Sequence, residues 1–155
     1  MAKKAKSARL ILLGRSEARV PVSPSDATLE TFPNPAKRKY RIHFETSDFT
    51  SLCPVTGQAD FARIEIDYIP DKRCIESKSL KFYLASYRNE RAFNEAVTNR
   101  ILDDFVRACS PCEANITASF SARGGIALTV RASFPDASKP TAELRDGSDV
   151  RRSRQ

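Results

Sequence analysis

The chain has 155 residues, 41% hydrophobic and 29% charged, which suits one globular domain with tails rather than two domains. Its net charge of +7 lies partly in the ends, with Lys3, Lys4 and Lys6 at the front and Arg151, Arg152 and Arg154 at the back, so it singles out no nucleic-acid-binding stripe. No apolar run approaches the roughly 20 residues that cross a bilayer, and four cysteines in a chain of this size point to a reduced, cytoplasmic setting rather than a disulfide framework.

Residues 1–38 read as an irregular N-terminal extension, with prolines at 21, 24, 33 and 35. Only "RLILLG" suggests an edge strand, and its apolar run is too short for a secretion signal. "KYRIHFE" (39–45) alternates as a strand, followed by a loop over 46–59. "DFARIEIDYI" (60–69) then places Ala62, Ile64, Ile66 and Tyr68 on one face and Arg63, Glu65 and Asp67 on the other, the period of a half-buried antiparallel strand. The period changes after "PDK". Leu80, Leu84 and Tyr87 recur at helical spacing, and a second helix carries Phe93, Val97, Ile101 and Phe105. Alternation returns in Ala114, Ile116, Ala118 and Phe120, "RGG" (123–125) turns the chain, and Ile126, Leu128, Val130 and Ala132 form the return strand. Residues 135–155 read as a loose tail. The expected fold is α+β: a catalytic domain over 39–134 in ββααββ order, with a helix pair on one face of an antiparallel sheet. The charged face of 60–69 meets water or another subunit.

"FTSLCPVTGQADFA" (48–61) sets Cys53 at the mouth of a polar, turn-rich loop, where cations or backbone N–H groups favour the reactive thiolate. A buried loop cysteine is the plain alternative. Asp60 opens a strand and reads either as a turn-ending carboxylate or as an acid. "CIESKSLKFY" (74–83) groups Glu76, Ser77, Lys78, Ser79 and Lys81 at a helix start. It reads as a capping region with Ser77 as N-cap, or as a place where helix-terminal N–H groups and two lysines meet a phosphate. Phe93 is either core or a wall for a flat ring, and Glu95 suits a helix N-terminus. "CSPC" (109–112) has redox-pair spacing, but a single histidine, His43, and no second cysteine pair argue against a metal site. There is no P-loop and no dinucleotide-binding glycine fingerprint.

Together, "LETFPNP", "FTSLCPVTGQADFA", "ESKSLKFY", "YRN" with "F.E", and "RGGI" resemble the NADPH-dependent nitrile reductases of the queuosine pathway. These are the 7-cyano-7-deazaguanine (preQ0) reductases, QueF type, in their short single-module form. The resemblance covers roughly 29–134. It implies the tunnelling fold (T-fold), closed into an oligomeric barrel with active sites at subunit interfaces. It implies Cys53 as the nucleophile forming a thioimide with the nitrile, and Asp60 as proton donor to the nitrile nitrogen. Ile75, Glu76, Ser77, Phe93, Asn94 and Glu95 match substrate-binding positions, and Lys78, Ser79 and Lys81 lie in the motif linked to NADPH. Asn94 and Glu90 stand where family members usually carry histidine, and asparagine does not shuttle protons near neutral pH. The implied reaction is reduction of preQ0 to 7-aminomethyl-7-deazaguanine (preQ1), with no membrane partner. Two alternatives share the motifs: an amidotransferase adding ammonia to preQ0 within a nucleic acid, and a non-catalytic deazapurine-binding ring.

Overall fold

The structure is a computed structural model and describes residues 10–12 and 19–136. A four-stranded antiparallel sheet is its frame. β2 (Ile42–Leu52), β3 (Ala59–Ile69), β5 (Glu113–Arg123) and β6 (Ile126–Phe134) lie side by side in that order, so β2 and β6 are the edges. The short strands β1 (Thr31–Pro33) and β4 (Arg73–Ile75) pair as a separate two-stranded ribbon. Helices α1 (Ser77–Ala85) and α2 (Asn94–Cys109) fall between β4 and β5, and a 3-10 turn over Ser86–Asn89 continues α1.

The core is the meeting of one sheet face with the two helices. Ala62, Ile64, Ile66 and Tyr68 of β3 and Ala114, Ile116, Ala118 and Phe120 of β5 are buried, as the alternation predicts. Leu80, Tyr83 and Leu84 of α1 and Val97, Ile101 and Phe105 of α2 close over them. Tyr68 lies between Phe44 (centroids 6.1 Å apart, stacked) and Phe105 (4.9 Å, edge-on). The other face carries ion pairs, with Arg63 joining Glu45 at 2.8 Å and Glu65 at 3.2 Å. At the β5–β6 turn Gly124 and Gly125 both have positive φ, 57° and 79°, the geometry of the tight two-residue hairpin turn that glycine adopts without strain.

Several elements differ from the sequence reading. β2 runs on to Leu52, where a loop over 46–59 was expected. The register shifts between Thr46 and Phe49, so Ile42, Phe44 and Thr46 share parity while Phe49 and Ser51 take the opposite one. A bulge of this kind breaks the alternation by which the strand would be recognised. The extension over 1–38 is not wholly irregular, since β1 pairs with β4. Leu10–Leu12 of "RLILLG" form no strand, and its remaining residues lie outside the described ones. The N-cap of α1 is Glu76, not Ser77. Phe93 is 62% exposed as the N-cap residue of α2, so the buried stripe of that helix begins at Val97.

Truncating a stripe residue and truncating Phe93 therefore have different costs. Phe105→Ala is expected to lose about 3–5 kcal/mol of unfolding free energy by denaturant titration, whereas Phe93→Ala changes it by no more than about 0.5 kcal/mol.

Candidate active site

β2 ends at Leu52, and the chain turns through Cys53–Gln58 into β3. The turn is self-contained. The Cys53 amide donates to the Gln58 carbonyl at 2.8 Å, and the Gly57 amide donates to the Cys53 carbonyl at 2.9 Å. Gly57, at φ 72°, leaves room for the Arg91 guanidinium, which a Cβ there would meet at 3.1 Å. The Thr56 hydroxyl and the Thr56 and Val55 amides hydrogen-bond the Cys53 sulfur, and Arg123 adds a positive field. Together they lower the thiol from its ordinary 9.0 to about 7.

Across the turn, Ser51 pairs with Asp60 in register. Asp60 continues the inward series of Ala62, Ile64, Ile66 and Tyr68, so its carboxyl lies on the helix-covered face and is 8% exposed. Arg123, at the end of β5, meets it at 3.0 Å (Nε to Oδ1) and also donates to the Ala59 carbonyl at 2.6 Å.

The connector from the 3-10 turn to α2 closes this end. The Leu52 amide donates to the Glu90 carbonyl at 2.9 Å, and the Ala92 amide donates to the Leu52 carbonyl at 3.2 Å. Residues 90–92 thus run beside the free edge of β2 and launch Phe93, Asn94 and Glu95 at the start of α2. Among the described residues, two buried side-chain polar atoms have no hydrogen-bond partner, Ser51 Oγ and Asn94 Oδ1. Orphaned polar atoms are uncommon in a folded chain, and they belong where a ligand can satisfy them. Exposed apolar side chains come from the same elements: Val55 at 76%, Phe61 at 58%, Phe93 at 62% and Ile126 at 76%.

The second group of sequence-predicted residues sits elsewhere. Glu76 is 5% exposed, and its carboxylate takes the Lys78 and Ser79 amides, each at 2.8 Å. The helix N-terminus therefore already holds a carboxylate, which corrects the reading of free N–H groups awaiting a phosphate. Ser79 is fully buried: its hydroxyl donates to the Glu76 carbonyl at 2.8 Å and accepts the Glu30 amide at 2.9 Å, so it is not presented to a cofactor. Ile75 is 2% exposed, its side chain in the core and its amide on the Tyr68 hydroxyl at 3.1 Å. Ser77 and Lys81 flank a cavity of about 300 Å³ between β2 and α1, with Phe44, Glu45 and Leu80 among its walls. Lys78 Nζ donates to the Leu12 carbonyl at 2.7 Å. Two lysines one turn apart on α1 suit the phosphates of a dinucleotide, although Ser79 does not contribute.

The two groups do not meet within one chain. Nine residues of α1 at ~1.5 Å each and four of the 3-10 turn at ~2.0 Å each put about 20 Å between Glu76 and the connector. That is farther than one fused bicyclic base can bridge.

Among the described residues, the other chemistry-bearing side chains form no competing centre. His43 lies on the exposed sheet face, 3.0 Å from Asp67, and this carboxylate raises its pKa. With Glu45 and Glu65 it makes a trio of metal-ligand type, but Arg63 occupies both carboxylates. Cys109 is buried, its thiol pushed up to about 12 by desolvation, while Cys112 is exposed. "CSPC" is therefore not a poised redox pair. Arg123 and the unpartnered Ser51 were not singled out from sequence; the position of Ser51 two residues before Cys53 was the available signal for the latter.

The site predicts its own titration. Alkylation of Cys53 by iodoacetamide should follow a midpoint near pH 7. Thr56→Val removes the largest stabilising hydrogen bond and should move that midpoint upward, read by mass spectrometry of the Cys53 peptide.

Comparison with known proteins gives a consistent picture. The family described as "QueF-like protein" matches residues 59–139. The NADPH-dependent 7-cyano-7-deazaguanine reductase of Nitrosomonas europaea is 62% identical over 103 residues, covering 66% of this chain and 74% of that protein. The reductase of the same name from Syntrophus aciditrophicus is 54% identical over 135 residues, covering 85% and 92%. Among solved structures, an apo archaeosine synthase QueF-Like matches with a TM-score of 0.55 at 21% identity, over 63% of this chain and 94% of that one. At that identity the likeness concerns the fold.

Proposed function

The chain belongs to the QueF-like family, and we propose that it is an NADPH-dependent reductase of 7-cyano-7-deazaguanine, converting the nitrile of preQ0 to the aminomethyl group of preQ1. The observation that carries this reading is a thiol held near pH 7 across one hairpin turn from a buried carboxyl. Relatives named for this reaction at 54–62% identity support it.

A nitrile carbon is a weak electrophile, and a thiolate near neutral pH is a nucleophile matched to it. Cys53 attacks the carbon, and the nitrile nitrogen takes a proton. Asp60, held by Arg123 at 3.0 Å, is the group that hands this proton to the nitrile nitrogen. Sulfur attacks as the thiolate, its own proton already released to solvent, and nitrogen takes its proton from the Asp60 carboxyl, which solvent then reprotonates, giving a neutral thioimide. NADPH, when bound, supplies the hydride, and two equivalents reduce the nitrile to an amine. Between the two additions the C–S bond breaks, and the same turn that stabilises the thiolate makes Cys53 a competent leaving group. Phe93 offers an exposed ring for the deazaguanine to stack on, and Asn94 Oδ1 an unsatisfied acceptor for its N–H groups. Lys78 and Lys81 are the residues that would hold the cofactor phosphates.

The separation of Glu76 from Cys53 is met by a second copy. In this reading the fold is the tunnelling fold, subunits associate head to tail, and the Glu76–Ser77 end of one copy faces the Cys53 end of the next. Val55, Phe61, Phe93 and Ile126 supply the apolar rim of such an interface. A reaction that consumes NADPH and depends on a free thiol fits a reducing, cytoplasmic setting. The amidotransferase reading has no comparable support, since its structural neighbour shares only the fold.

Purified protein should oxidise two NADPH per preQ0, by absorbance at the reduced nicotinamide band, and Cys53→Ala should abolish both turnover and the covalent mass adduct. Turnover that persists in the variant overturns the thioimide route; a Cys53 adduct without NADPH consumption overturns the reductase.

Shared sites predict complementation. Cys53→Ala and Glu76→Gln are each expected to be inactive, yet to regain a fraction of wild-type activity when co-assembled. Activity that stays absent in verified mixed oligomers places the whole site within one copy.

A further inference from the structure

Arg100 projects from α2, five residues beyond Glu95, and is about one-third exposed at 35%. Nη1 donates to Glu90 Oε1 at 2.9 Å and Nη2 to Ser25 Oγ at 2.8 Å. Nε lies 3.8 Å from Asp104, and the guanidinium sits 5.8 Å over the Tyr87 ring. Tyr87 packs against Phe49 of β2 and bonds the Tyr83 hydroxyl at 2.8 Å, which donates to Asp104 at 2.8 Å. The side chain of Glu90 is thus tied to α2, while its backbone carbonyl takes the Leu52 amide immediately before Cys53.

These contacts divide the labour at the Cys53 end. The Cys53–Gln58 turn activates the thiol chiefly through its own amides and hydroxyl, with a smaller contribution from Arg123. The distance from that thiol to Phe93 and Asn94 is a separate matter, because the two lie on different elements. Among the described residues the connector over 90–92 joins them, by two backbone hydrogen bonds to Leu52. Among the described residues, Glu90 is the connector position whose side chain bonds into α2, and the Arg100 guanidinium that holds it reaches Ser25 and Asp104 with its other nitrogens, a planar spread that a single ammonium does not reproduce.

We infer that Arg100 is a positioning residue for substrate capture: through Glu90 it sets the register between the nucleophile at the end of β2 and the substrate shelf at the start of α2. This rests on the reading of Cys53 as nucleophile toward preQ0. A misplacement of about 1 Å between reacting groups costs on the order of 100-fold in rate, so the clamp acts on capture and not on thiol chemistry. Ser25 adds a consequence, since the same guanidinium fastens the N-terminal segment to α2.

The test separates these two properties in the full-length protein. Arg100→Met keeps the stem over Tyr87 and removes the fork. It is expected to leave the pH profile of iodoacetamide alkylation at Cys53 unchanged, while the rate of covalent adduct formation with preQ0 and kcat/KM fall about 10- to 100-fold. Glu90→Ala should show the same split, the double variant should be no worse than either single one, and Glu90→Gln should recover most of the loss. Wild-type adduct rates in folded Arg100→Met, or alkylation and capture falling together, overturn the inference. If Arg100→Met does not fold, Glu90→Ala decides: normal capture overturns it, slowed capture with normal alkylation supports it. A wild-type protein that never captures preQ0 overturns the functional reading, and this inference with it.

Discussion

Alternation along β3 is the constraint on which both the core and the chemistry rest. Asp60, Ala62, Ile64, Ile66 and Tyr68 all point to the helix-covered face, and four of the five are core residues. A slip of one residue would expel the whole set to solvent and turn Asp60 away from the thiol end. Packing of the other four, with Tyr68 held between Phe44 and Phe105, therefore fixes the orientation of the fifth. The orientation of Asp60 is thus maintained by hydrophobic burial farther along a central strand paired on both sides.

Burial of charge follows from the same geometry. Asp60 sits where the inward face runs out, and Arg123 satisfies it from the end of β5, beside the bulge between Phe120 and Arg123. At the other end Glu76 is buried against the first amides of α1, which pre-orient its carboxylate. Buried carboxylates are costly unless their oxygens are met by donors. Each of these two has such a donor within its chain and retains lone pairs for another. In the head-to-tail assembly proposed above, these two ends are the halves of one shared site.

Legibility from sequence tracks how local each cause is. β3, β5, β6 and the Val97–Phe105 stripe follow directly from periodicity, since each buries one continuous face. The far half of β2 does not, because the bulge after Thr46 inverts its parity within a polar run. Phe93 falls on the helical spacing of α2 yet precedes the helix; periodicity records angle, not where a helix begins. Around α1, composition marked the cluster, but roles were settled by tertiary contacts. Glu76 displaced Ser77 as the cap, and Glu30, from a distant segment, claimed the Ser79 hydroxyl. The nearness of Cys53 and Asp60 was legible because one hairpin holds both. The clamp through Arg100 was not, as it joins residues 25, 90 and 100 only in space.

The distribution of proton-carrying groups gives the site its particular character. The sequence has one histidine, and it lies on the opposite face of the sheet, engaged with Asp67. No imidazole of this chain accompanies Cys53 at the end of the hairpin, so the thiol is activated by backbone and hydroxyl donors of its own turn. Such donors carry no exchangeable charge and do not titrate near neutrality, so they stabilise the thiolate at constant strength across that range. In the proposed reaction proton transfer falls to Asp60, which is buried and held by Arg123 at 3.0 Å. A carboxyl whose position is fixed by strand packing and by one guanidinium is placed to hand a proton to nitrogen as sulfur adds to carbon, which is what that reaction asks of it.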